Sequence, residues 1–264
     1  MIITPYQDGL KQIVILNPKG GCGKTTLATN LAAYLAHRGP PPMLIDNDPN
    51  GYSSRWLERR PRGSCKINGI ADCKLTTHGK RVWPSRIPRS TETIIMDTPA
   101  ALGPREINEL TRNADCILVP ILPSAFDVHT ATRFIAELLL LTQFDRRVAV
   151  VANRTRLNTK SLLMLTEVLT ELETPTIGVL SNSQNYVHAA DAGLSIYELP
   201  RHKAKQEVAQ MDSVATWVDR VLMKTPEPEP ILPAIFPALS FGRQTGGISF
   251  AGSARSGKHA LDWA

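Results

Sequence analysis

The stretch Asn17-Pro18-Lys19-Gly20-Gly21-Cys22-Gly23-Lys24-Thr25-Thr26 follows directly on an apolar run, Ile13-Val14-Ile15-Leu16. Behind it, Leu27, Leu31 and Leu35 recur every four residues, the spacing of one face of an α-helix. Strand, glycine-rich loop and helix in that order are the context a phosphate-binding loop requires. Glycines at 20, 21 and 23 let the backbone curl until successive N–H groups converge on an anion, and the helix N-terminus adds partial positive charge. In such a loop Lys24 reaches the β- and γ-phosphates of a nucleotide, and the Thr25 hydroxyl ligates Mg²⁺. Gly20, Gly21, Cys22, Gly23, Lys24, Thr25 and Thr26 are therefore the candidate nucleotide-binding residues.

The general pattern has glycine at the position of Pro18, and here a second lysine, Lys19, precedes the double glycine. That variant resembles the deviant Walker A box of the ParA/MinD ATPases. The resemblance implies ATP and Mg²⁺ as ligands and an ATP-driven homodimer. It also implies that Lys19 crosses the dimer interface to the partner's nucleotide, which makes Lys19 a catalytic candidate beside Lys24.

Met43-Leu44-Ile45 is a short apolar run of buried-strand type that delivers Asp46-Asn47-Asp48-Pro49-Asn50-Gly51. Asn, Asp, Pro and Gly favour turns on their own account. Beside a phosphate loop, however, carboxylates at the carboxyl end of a strand are placed for metal and water chemistry. The segment is similar to the family's Asp-x-Asp-Pro-Gln, with Asn50 in place of glutamine. Carried over, Asp48 positions the attacking water and Asp46 supports the Mg²⁺ shell, although the division of labour between the two stays open. Ile94-Ile95-Met96 ends in Asp97-Thr98-Pro99, which resembles the family's second switch; there Asp97 would hold Mg²⁺ through water. Pro123 to Asp127 resembles the family's next strand-to-helix connection. Asn153, closing the run Val148 to Ala152, occupies the position where the family places an amide near the nucleotide base. Ser183 stands where the family usually has arginine.

Apolar strands alternating with helical patterns over residues 11–222 imply an α/β fold: a doubly wound, mostly parallel sheet with helices on both faces. Helices are expected over Arg105 to Asn113 and Thr159 to Glu173, and through Val208, Met211, Ala215, Val218 and Leu222. Residues 61–90 show no periodicity, with room for a strand or two unmarked by any pattern. The loops at 17–26, 46–50, 97–100 and 153 then converge outside the carboxyl ends of the strands, where such folds bind nucleotides. Residues 1–224 read as a ParA-like ATPase domain. Residues 225–264, opening with Pro226-Glu227-Pro228-Glu229-Pro230, read as a proline-rich linker and disordered tail.

Composition excludes little but directs the rest. In 264 residues, 42% apolar, there is no run of about 18 apolar residues and no basic-then-apolar leader, so neither a membrane span nor a secretory signal is expected. Cysteines 22, 65, 73 and 116 lack C-x-x-C spacing, which speaks against zinc or an iron–sulfur cluster and for reduced thiols in a cytoplasmic protein. The net charge of +6 permits attraction to nucleic acid. By the resemblance, ParA-like members coat nucleoid DNA without sequence preference. They position plasmids, chromosomes or, in the McdA-type subgroup, carboxysomes, with a ParB-like or McdB-like adaptor stimulating slow hydrolysis. MinD-like members hold a membrane through a C-terminal amphipathic helix. Pro230, Pro233 and Pro237 break that pattern here, so DNA rather than membrane is expected, with Arg201, Lys203, Lys205 and Arg220 as candidate phosphate contacts. Two other classes stay in view: a metabolic enzyme with the same loop, such as a synthetase or iron–sulfur reductase, and a degenerate ATPase that only docks a partner.

Overall fold

The computed structural model describes residues 9–71, 87–142, 147–156 and 159–223. Its strands in chain order are β1 (Lys11–Ile15), β2 (Met43–Asp46), β3 (Asn68–Ala71), β4 (Thr93–Asp97), β5 (Cys116–Ile121), β6 (Val148–Thr155) and β7 (Thr176–Ser181). They form one sheet, ordered β3-β2-β4-β1-β5-β6-β7, in which every pairing among the described residues is parallel. The helices are α1 (Lys24–Ala36), α2 (Tyr52–Glu58), α3 (Pro104–Thr111), α4 (Ala125–Leu141), α5 (Lys160–Glu171), α6 (Gln184–Asp191) and α7 (Arg201–Leu222), with a 3-10 turn at Ile196–Glu198.

Parallel strands joined by helical crossovers are covered on both faces, so they read as continuous apolar runs rather than alternating ones. All six residues of β5 are buried, including Pro120. Alternation nevertheless sorts their side chains. Val14, Ile117 and Val119 pack on one side with Leu110 of α3, Ile135 and Leu138 of α4 and Leu165 of α5. Ile13, Ile15, Cys116 and Leu118 pack on the other with Leu27 and Leu31 of α1 and Met211, Val214 and Val218 of α7. The chain moves outward from β1 on one side through β2 and β3, returns to β4, and then leaves on the other side through β5. The switch point at β1 opens the crevice in which such sheets bind ligands.

The segment 61–90 contains an element that the sequence hides: β3, an edge strand in register with β2 from Met43↔Asn68 to Asp46↔Ala71. Its four residues, Asn-Gly-Ile-Ala, carry no pattern because Gly69 packs its bare Cα against Leu57 instead of presenting a side chain. The last helix begins at Arg201, well before the apolar stripe, and bends at Ala204. Thr159 is the N-cap of α5 rather than its first residue, its hydroxyl accepting from Leu162 N. The proposed tail at 225–264 lies outside the described residues.

Candidate functional site

β1 ends at Ile15, and after buried Leu16 the loop begins at Asn17. Asn17 is buried and donates from Nδ2 to Pro120 O of β5 at 2.7 Å, while its Oδ1 accepts from Lys19 N at 2.8 Å. One side chain thus bolts the loop to the neighbouring strand and sets the turn that carries Lys19. On the far side of the loop, Asn153 Nδ2 donates to Cys22 O at 2.8 Å. Gly23 has φ of 101°, and a Cβ there would sit 1.9 Å from that amide, so this position requires glycine for both conformation and space. A third tie comes from the loop after β4: Ala101, itself left-handed at φ 56°, donates its N–H to Pro18 O at 2.9 Å.

α1 starts directly at Lys24 with no side-chain cap and no acidic residue in its first turn. Its N-terminal amides therefore keep their capacity for an anion, with the helix dipole behind them. Lys24 is buried, and its ammonium donates to Asn17 O and Lys19 O, both at 3.0 Å. The loop's own carbonyls hold the cation at the mouth of the glycine turn.

Thr25, Asp46 and Asp97 come together across three strand ends. β1 and β4 pair Ile15 with Asp97, and β2 and β4 pair Asp46 with Asp97. Thr25 Oγ1 donates to Asp97 Oδ2 at 2.8 Å. Asp97 Oδ1 and the Ser53 hydroxyl lie buried near each other without a well-formed hydrogen bond. Burial above all, with Asp46 and Asp48 adding to it, pushes the Asp97 carboxyl up to about 7 against the opposing help of the Thr25 and Ser53 hydroxyls. A buried carboxylate with one orphaned oxygen beside a threonine hydroxyl fits a hard divalent cation that takes oxygen ligands.

The two carboxylates after β2 are not equivalent. Asp46 is buried, and its oxygens accept from Asp48 N at 3.1 Å and Ser54 N at 2.8 Å, so it shapes the turn and the start of α2. Asp48 is only half-buried, with Oδ1 accepting from Asn50. Of the pair, Asp48 is the one with solvent access.

Lys19 projects away from Lys24. Its ammonium pairs with Asp127, in the first turn of α4, which also accepts from the Ser124 hydroxyl. Burial works against the Asp127 carboxylate, but Lys19 and Ser124 outweigh it and hold the group below its ordinary range. Sequence reading passed over Asp127 as a partner for Lys19. The signal available was Ser124-x-x-Asp127, a helix-start pattern, which says nothing about a lysine 108 residues earlier.

The amide of Asn153, expected near a base, is spent on the phosphate loop and is buried. Ser183 caps α6, accepting from Asn185 N at 3.2 Å. Arg201, Lys203 and Lys205 are exposed in the first turns of α7, whereas exposed Arg220 lies in its last turn, about 28 Å away along the axis. The structure brings three of these four cations together and separates the fourth.

Residues 13–196 match the CobQ/CobB/MinD/ParA nucleotide binding domain. The chain belongs to this family. Among the family's members, it is 29% identical over 194 residues to maintenance of carboxysome distribution protein A of Halothiobacillus neapolitanus, covering 71% of this chain and 87% of that one. It is also 29% identical over 220 residues to the protein of the same name from Gloeobacter kilaueensis, covering 82% of this chain and 97% of that one. The fold is that of apo McdA from Cyanothece, with a TM-score of 0.60 at 19% identity, covering 78% of this chain and 99% of that one. No helix among the described residues is long and apolar enough to cross a membrane.

Proposed function

We propose that this chain is a ParA-type positioning ATPase: a switch that dimerises with ATP, binds DNA without regard to sequence, and distributes a cargo, carboxysomes being the favoured one, with an adaptor protein. The observation that carries the reading is the placement of Lys19, Lys24, Thr25 and Asp97 on one bolted loop and the two strand ends beside it. The names and coverage of the two carboxysome-distribution relatives support the choice of cargo.

In this reading the Gly20–Thr26 amides and Lys24 take the phosphates, Lys24 leaving two carbonyls of its own loop to do so. Thr25 and Asp97 hold Mg²⁺, with Asp46 behind them; when bound, the ion neutralises charge on the phosphates of ATP. Asp48, reachable by solvent at the end of β2, orients the attacking water. Lys19 leaves Asp127 and reaches the nucleotide of a second copy. Hydrolysis removes the charge that Lys19 neutralises and loosens the dimer, so the bound state rather than the product is the output.

The test is binding to an arbitrary DNA duplex with ATP, ADP or no nucleotide at two salt concentrations, alongside sedimentation. ATP-dependent, salt-sensitive, sequence-blind binding by a dimer is expected. A chain that dimerises with ATP yet ignores DNA in every state would remove the DNA track and leave the switch.

A further inference from the structure

Cys65 sits far from the phosphate loop, beyond the opposite end of α1. That helix is about 20 Å long, with Lys24 at its start and His37 capping its end. The turn holding Cys65 is made by Gly63 at φ 100°, by Ser64 N donating to Pro61 O at 3.2 Å, and by Arg60 Nη2 donating to Cys65 O at 3.2 Å. It brings Cys65 Sγ to 3.1 Å from His37 Nδ1. The other ring nitrogen, His37 Nε2, faces Glu198 Oε1 at 3.8 Å, an ion-pair distance rather than a hydrogen bond. Thiol, imidazole and carboxylate thus follow one another in order. The remaining free cysteines among the described residues, Cys22 and Cys116, are buried, and burial pushes both thiols up. Cys65 is half-exposed.

We infer that Cys65, with His37 as its proton acceptor, is a reactive thiol that exchanges with small anionic disulfides. An imidazole nitrogen in contact with a thiol can take its proton, and the thiolate is the nucleophilic form. The charged residues that flank the pair in the chain are Arg38 after α1, Glu58, Arg59 and Arg60 where α2 ends, and Arg62 and Lys66 around the turn; Glu198 faces His37 and Asp219 faces Arg38. Arg60 and Glu198 neutralise each other at 2.6 Å and Arg38 is paired with Asp219 at 3.9 Å, which leaves Arg59, Arg62 and Lys66 against Glu58, a net positive charge in the flanking sequence. That field attracts an anionic disulfide. In the exchange, the proton of Sγ passes to His37 Nδ1 and the thiolate attacks one sulfur of R–S–S–R. The S–S bond breaks, and its electron pair leaves on RS⁻, which is then protonated. The products are the Cys65–S–S–R mixed disulfide and RSH; the disulfide itself is the oxidant.

The full-length protein is treated with oxidised glutathione and, in parallel, with dithiodipyridine, following intact mass and thiopyridone release. One fast mixed disulfide is expected, lost in Cys65→Ser and kept in Cys73→Ser. His37→Gln should slow it at least about tenfold at pH 7, with the difference closing near pH 10, where hydroxide ionises the thiol without help. ADP binding, unchanged in all three variants, serves as the folding control. A fast phase that survives Cys65→Ser overturns the inference. So does a His37→Gln variant that reacts at the parental rate at pH 7, or one slowed equally at every pH, which would mean that His37 merely holds the turn.

Discussion

The phosphate loop and the basic turn that opens α7 are both rich in cations, yet they are built on opposite terms. In the loop, Lys24 is buried on two carbonyls and Lys19 is paired with Asp127 across the fold. On α7, Arg201, Lys203 and Lys205 stand in solvent, and none of the ion pairs among the described residues involves them. A cation that must meet one phosphate oxygen is positioned by partners it can exchange. If the α7 cations meet phosphates along a duplex, as proposed, they do so from solvent, and their contribution is spread and screened by salt.

The largest effect expected from breaking this contrast is at Lys24. Lys24→Ala should lower ATP turnover at least about a hundredfold, since the buried ammonium proposed to leave its loop carbonyls for the phosphates is lost, and a steady-state phosphate-release assay reads it directly. Lys19→Ala should abolish ATP-dependent dimerisation while monomeric nucleotide binding persists; a dimer of parental strength in sedimentation would sink the cross-interface role. Asp127→Ala removes the competing contact and should act with the opposite sign, tightening the dimer by about fivefold, the size expected of a half-exposed ion pair worth about 1 kcal/mol.

Just before the basic turn of α7, an ion pair ties the end of α2 to the 3-10 turn at Ile196–Glu198. Arg60, just after α2, donates to Glu198 at 2.6 and 3.1 Å and to Gly193 O at 3.3 Å. Burial opposes ionisation of Glu198, but Arg60 and the Ser195 amide outweigh it and hold the carboxyl below its ordinary range. Its stabilisation is therefore present above the unfolded carboxyl's ordinary range and is lost as pH falls through the lower folded value. Glu198→Gln should cost about 3 kcal/mol at pH 7, because a buried Arg60 is left unpaired. In urea melts the gap to the parent should narrow below about pH 4.

The smallest effects belong to the exposed face. Replacing Arg201, Lys203 and Lys205 together by alanine should flatten the slope of log affinity against log salt for duplex DNA by up to about 2.7, with the fold unchanged. Arg220→Ala should change it by no more than about 0.9, independently of the others, because it lies at the far end of the helix. Equal and non-additive effects would place all four cations on one contact surface.

Much of the fold was legible because parallel strands covered on both faces leave continuous apolar runs, and α1, α4 and α5 show their buried stripes at helical spacing. β3 was not, since an edge strand of four residues that includes glycine leaves no pattern. At the site, the phosphate loop, Asp46, Asp48 and Asp97 could be read from local motifs ending local strands. The partners of those residues could not: Pro120 for Asn17, Cys22 for Asn153 and Asp127 for Lys19 are contacts between segments more than 100 residues apart.

The amino-acid order alone determined a doubly wound α/β domain with an anion-binding loop after its first strand and carboxylates after its second and fourth, because periodicity and turn chemistry are local properties of the chain. Only the tertiary structure decided what each polar group does at rest. It buried Asp46 in its own turn and left Asp48 to solvent, spent the Asn153 amide on the loop, parked Lys19 on Asp127, and set Cys65 against His37. Those assignments depend on which strand ends and helix termini meet in space, and hydrogen bonds between distant segments leave no period in the sequence.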